Sequence, residues 1–420
     1  MRARWILVPL FLFVTGACTG TKTAPDRPRP SIPDVVVLGT SAGTVVVESD
    51  TGSVLSPDAG EVVAPDGSRL YATVPDGGST LLETRDPLTG ELLARTPVAG
   101  SMDVRVASTS GRAVAMMRPL PQGVDPTIPL PRARTHIAVA DPTGEAPARS
   151  YWLTGNFEPE AFSLDDGRLF LIQHLPAEAP SVYRVTFLDL ETGHVRQVFG
   201  RFKTPPERMP GIRLEQVFDP VAEQLYTLYS NEPVESYQGE WQGAAYGGRV
   251  VSFVHVLNLR KGWAYCAGLP RALWGQPATA QAMASSPDGR SLFVVDAMRG
   301  LIAEMNTRTL EIDRTAKLDL GSVDGGRTSA VMSADGDTLF VGSARDGAAV
   351  YAVDVETLEI RERWPMTSTV TGLGLSGDGL RLYAAVDDRV AIVDTATGRA
   401  FAALSFEGVD SILHVATQGT

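Results

Sequence analysis

Three observations predict an all-β fold, a closed ring of four-stranded sheets. One turn-and-strand phrase recurs along the chain, a second phrase follows each copy, and the last strand-like segment has no neighbour to pair with. The first phrase is clearest in "APDGSRLYATV" (64–74), "SPDGRSLFVVD" (286–296), "SADGDTLFVGS" (333–343) and "SGDGLRLYAAV" (376–386). Weaker copies are "STSGRAVAMM" (108–117), "SLDDGRLFLIQ" (163–173) and "DPVAEQLYTLY" (219–229). Each sets a tight polar turn before alternating apolar residues, the signal of a hairpin.

The second phrase joins two further strands through a polar turn, as in "VAIVDTATGRAF" (390–401) and "VTFLDLETGHV" (185–195). Its turn opens on Asp50, Asp86, Asp141, Asp189, Asn258, Asn306, Asp354 or Asp394. A side-chain oxygen at that position can accept hydrogen bonds from the turn's own amides. A unit therefore runs strand A, turn, strand B, loop, strand C, turn, strand D.

The N-terminal unit lacks a strand A, because "DVVVLGT" (34–40) already reads as a strand B. An unpaired apolar strand is a liability at a terminus. "SILHVAT" (411–417) fills the gap and closes the ring with three strands from one terminus and one from the other. A ring of four-stranded blades is a β-propeller. Eight blades is the count, and seven is the alternative if the weak unit at 103–153 or the N-terminal unit is something else.

"SPDGRSLFVVD" and "VAIVDTATGRAF" resemble the YVTN-type repeat of bacterial surface and periplasmic propellers, most closely over 279–409. That family holds lactonase-like enzymes, surface-layer proteins and lipoproteins, so the resemblance implies a fold far more than an activity. The WD40 repeat fits less well, because no Trp-Asp dipeptide ends a blade.

The chain opens with Arg2 and Arg4, the apolar run "WILVPLFLFV" (5–14) and "TGAC" (15–18). The run suits a secretory leader and is too short to span a bilayer. "TGAC" resembles a bacterial lipobox, which implies a signal peptide over 1–17 and a lipid-modified Cys18. Residues 18–33 then form a Pro-rich tether and 34–420 the propeller. The alternative is a soluble secreted protein cut near Ala17. The net charge of −12 argues against nucleic acid as a partner and leaves the lipid as the sole membrane attachment. Cys266 is the one other cysteine; it lies in a bulky outer strand with Trp263 and is expected to be structural.

The short A–B and C–D turns share one face, and the B–C and D–A connections share the other. Four long insertions, 117–135, 201–211, 231–248 and 271–280, all fall on that second face. Loops presented by a rigid scaffold carry function. Tyr237, Trp241, Tyr246 and Trp274, with Arg132, Arg134 and Arg271, are candidates there for a protein, peptide or glycan ligand. Glu160, Glu215 and His414 are candidates lining the central channel.

Other motifs are weaker. "GTSAG" (39–43) has nucleophile-elbow spacing around Ser41, but a strand follows it where the elbow needs a helix. The five histidines are scattered, and no calcium loop, haem motif or phosphate loop occurs. No metal or other cofactor is expected. The favoured expectation is a lipid-anchored, non-enzymatic binding or scaffold module. The alternative is a propeller enzyme, lactonase-like or glycan-acting, that uses channel carboxylates as acid and base.

Overall fold

The computed structural model describes residues 34–417, apart from 42, 57–61, 122–123, 125–128, 205–207, 232–249, 276, 321–326 and 344–347. The expectations for 1–33, Cys18 included, and for Tyr237, Trp241 and Tyr246 lie outside the described residues. Within them the chain forms eight antiparallel blades, so the seven-blade alternative is excluded. The weak unit at 103–153 is a full blade of its own, with strands Asp103–Ala107, Val114–Met117, Arg134–Ala140 and Arg149–Thr154. Helix among the described residues is limited to single 3-10 turns such as Arg271–Leu273.

Blade 1 closes the ring as its sequence requires. Its strand B, Asp34–Thr40, pairs on one side with strand C, Gly43–Glu48, and on the other with the C-terminal strand Val409–Thr417. "GTSAG" is accordingly a B–C hairpin, with the Thr40 hydroxyl donating to Gly43 O at 2.7 Å.

The first phrase owes its Leu-aromatic pair to packing between blades. Successive residues of a strand face opposite ways, so the leucine meets the preceding blade and the aromatic the following one. Leu382 packs with Phe340 and Val350 of blade 7, whereas Tyr383 packs with Val36 and Leu38 of blade 1. The same division holds for Leu292 and Phe293 and for Leu169 and Phe170. Each such side chain, fully buried, stabilises a seam by about 1.5–3 kcal/mol. Among the described residues the apolar core falls into eight clusters, one at each seam.

The turn acids act as their position predicts in seven of the eight C–D turns. Asp86 Oδ1, for instance, accepts the Leu88 and Thr89 amides at 2.9 and 3.0 Å, and Asp354 Oδ1 accepts the Thr357 amide at 2.7 Å. The other five are Asp141, Asp189, Asn258, Asn306 and Asp394. Asp50 differs: its carboxylate lies 3.7 Å from Arg381 of the neighbouring blade.

One feature departs from the regular plan. After the short strand Val195–Gln197 of blade 4, Phe199–Gly200 crosses over and pairs in parallel with strand Trp263–Gly268 of blade 5. Blade 5 therefore has five strands, and the D–A connection between blades 4 and 5 is pinned across their outer seam.

Candidate functional site

The A strands of neighbouring blades pack against one another around the channel. Several of them carry a β-bulge, which turns the following side chains to the other face. The unpaired residue is Arg105 in Asp103–Ala107, Glu160 in Asn156–Phe162, Leu214 in Ile212–Asp219 and Thr371 in Val370–Leu375. The effect shows at Glu160. Phe157 before it packs toward blade 3 and Ala161 after it toward blade 5, although an unbroken strand would turn both the same way.

Glu160 thereby faces blade 5. Its carboxylate accepts from Gln216 Nε2 at 2.8 Å and Thr227 Oγ1 at 3.2 Å, and Arg213 Nη1 lies 3.3 Å away. Burial pushes its pKa up, and Arg213 opposes that shift. Glu215, on the same strand as Arg213, accepts the Met283 amide of blade 6 at 2.7 Å. Burial lifts its carboxyl to about 7 against that hydrogen bond and the more distant Arg327. Each channel carboxylate thus ties one blade to the next.

Two cavities open beside these residues, at the end of the channel where the D–A connections enter the A strands. One, of about 160 Å³, is bounded by Glu158, Glu160, His174, Tyr229 and Arg213. The other, of about 380 Å³, runs across blades 5 to 8 and blade 1 and is bounded by Glu215, Gln281, Arg327, Thr371 and Ser411. Arg213 borders both, and its side chain remains 39% exposed while the glutamate it holds is buried. Glu160 and Glu215 belong to different cavities, so they do not flank a common reacting bond. His414 is farther along its strand, packed over Gly67 in the A–B turn of blade 2. It does not join the glutamates.

The loop candidates divide. Arg132 forms an ion pair with Glu158 and donates to Phe157 O at 3.2 Å, which anchors the blade 3 insertion to blade 4. Trp274 donates its indole N–H to Leu269 O at 2.9 Å, and the Arg271 guanidinium lies 5.8 Å from its ring. Half-buried, Trp274 shapes its own loop. Arg134 extends over Trp152, 5.5 Å from the ring centre, while His136 stacks on that ring at 4.1 Å.

Trp152 is 63% exposed on strand Arg149–Thr154, and no loop-based reading finds it. Arg105, Arg213 and Arg327 were also missed. The signal available was an arginine within or just before a strand assigned to the channel, as in "GIRLE" and "GGRTS".

No protein-family model matches the chain, and no curated protein resembles it in sequence. Solved structures do resemble it. Dihydro-heme d1 dehydrogenase NirN in complex with DHE superposes with a TM-score of 0.54 at 16% identity, covering 93% of this chain and 77% of that one. Apo AztD from Citrobacter koseri superposes with a TM-score of 0.54 at 11% identity, covering 92% of this chain and 97% of its own. At these identities the likeness establishes the fold, an eight-bladed β-propeller, and leaves function to the site.

Proposed function

We propose that this protein is an extracytoplasmic binding module of YVTN type. On this reading it is held at the membrane by a lipid on Cys18 and takes its ligand at the channel mouth on the insertion-bearing face. The observation that carries the reading is the employment of the channel carboxylates. Glu160 is engaged by three donors from blade 5 and Glu215 by a backbone amide of blade 6, while the cavities beside them stay open. A carboxylate whose lone pairs bolt blades together is poorly placed to take a substrate proton.

The ligand is a peptide or glycan bearing an anionic group. Among the described residues neither Arg105 nor Arg327 is ion-paired to a carboxylate, and Arg213, though paired with Glu160, borders both cavities. These cations stand at the mouth of a protein whose overall charge is −12. Such a local reversal of sign attracts and orients anions.

Calorimetric titration with oligogalacturonate, oligoglutamate and their neutral counterparts tests this. The anionic series should bind, the neutral series should not, and Arg327→Glu should weaken binding about tenfold or more. Equal binding of neutral and anionic ligands, or indifference to Arg327→Glu, would sink the anionic assignment.

One observation favours the enzyme reading, namely the Glu215 carboxyl lifted to about 7 beside a cavity. A general acid is tuned in that direction. Hydrolysis of lactones or glycosides that disappears in Glu215→Gln would establish it in place of simple binding.

A further inference from the structure

A third cavity, of about 250 Å³, lies in the seam between blades 4 and 5, away from the channel mouth. Three soft or borderline metal-binding side chains line it: His255, Cys266 and Met209. His255 is on strand Ser252–Asn258 and stands directly across from Cys266 on strand Trp263–Gly268. Cross-strand partners carry their side chains on one face with Cβ atoms about 4.5–5.5 Å apart. Met209 comes from the D–A connection, and its N–H and C=O both bond the Tyr183 backbone at 2.8 Å, which fixes its position. Its thioether sulfur lies 2.9 Å from the Cys266 sulfur.

The imidazole is the informative group. His255 is 1% exposed, yet among the described residues neither ring nitrogen has a hydrogen-bond partner. A buried polar group left unsatisfied in this way needs an explanation. Burial lowers its pKa to about 4, so at neutral pH the ring is uncharged and offers one lone pair.

We infer that His255, Cys266 and Met209 form a binding site for a single monovalent copper ion. Thiolate and thioether ligands select Cu(I) among the biological metals, and imidazole completes a three-coordinate set. The thiol proton is released as the metal–sulfur bond forms: Cys–SH and Cu⁺ give Cys–S–Cu and H⁺, with no change of oxidation state. With metal–sulfur bonds of about 2.3 Å, a trigonal ion holds two sulfurs about 4 Å apart, so binding parts the pair by about 1 Å. The rotatable bonds of methionine accommodate that shift. The site has a single histidine and takes its third ligand from a methionine in a loop, which is why histidine spacing in the sequence does not disclose it.

The test uses the full-length chain with Cys18→Ser in every sample, so that Cys266 is the only thiol. Cu(I) is titrated anaerobically in competition with bicinchoninate, and X-ray absorption reports the ligand atoms. One Cu(I) per chain with two sulfur ligands and one nitrogen is expected. Cys266→Ser should abolish binding. Met209→Leu, which conserves apolar volume, should weaken it by about tenfold or more, at least the lower end of the loss typical of an outer-shell partner. Circular dichroism confirms that each variant is folded. Absence of Cu(I) binding, a preference for Zn(II), or unchanged affinity in Met209→Leu would overturn the assignment.

Discussion

Truncation after Gly408 abolishes folding of the propeller. The removed strand, Val409–Thr417, is the inner strand of blade 1 and pairs along the whole of Asp34–Thr40. Its loss uncovers Val36 and Leu38 and leaves a row of unsatisfied backbone groups at the edge of the sheet. It also removes the strand against which blade 8 packs. Gly372 approaches that strand so closely that a Cβ there would fall 2.7 Å from the Ile412 amide nitrogen and 2.8 Å from Ser411 Cα. The strand supplies Val409 to the seam with blade 8 and Ala416 to the seam with blade 2, so its loss weakens both, on the scale of a domain's whole stability, about 5–15 kcal/mol. The expected result is insoluble protein, or soluble protein without a cooperative melt by circular dichroism. A truncated monomer melting within a few degrees of the intact chain would show that closure contributes little.

Asp34→Ala comes next in size. Asp34 is wholly buried at the start of strand B in blade 1. Its carboxylate receives Arg381 Nε at 2.8 Å and the Tyr383 hydroxyl at 2.5 Å, both from strand Arg381–Val386 of blade 8. The Asp34 amide donates to Ser49 Oγ at 3.2 Å. This cluster bolts the last blade to the first beside the terminal strand. Removing one partner of a buried ion pair costs about 3–5 kcal/mol, because the other charge stays desolvated. Arg381 is 11% exposed, and the Asp50 carboxylate 3.7 Å away offsets part of that cost, which places the loss at the lower end of the range. Urea unfolding should show the loss as a lower midpoint with an unchanged slope. Asp34→Ala combined with Arg381→Met should recover part of it, since the stranded charge is then gone. A single variant with the wild-type midpoint would contradict the bolt.

The ring, its blade count and its closure were all legible because each rests on a periodic cause. A Leu-aromatic pair recurs where two seams must be filled, and an Asp or Asn recurs where turn amides need an acceptor. Those requirements repeat with every blade, so the residues repeat too. Of the candidate site, only the placement of residues on strand A was legible. Glu160 and Glu215 were found because strand A lines the channel, but their tasks depend on partners 53 to 68 residues away, which no local pattern encodes. His414, a third channel candidate, lies over Gly67 away from the glutamates, because alternation gives a residue's face and not its depth along the channel. Arg134 was singled out as a loop residue, but its partner Trp152 lies on the outermost strand, where sequence reading expects solvent-facing residues of no special meaning. The His255–Cys266–Met209 arrangement arises from strand register and a crossing loop, and neither leaves a spacing motif.

The central claim is that ligand binding belongs to the insertion-bearing end of the channel. Site-specific photocrosslinking in native membranes tests it most directly. A photoreactive residue is placed at Thr279 or Thr371, which border the larger channel cavity on that side, and at Asp66 or Asp288 in the A–B turns of the opposite face. Adducts should form from positions 279 and 371 and be absent from 66 and 288. Adducts arising from the A–B turns, or equally from both faces, would contradict the account.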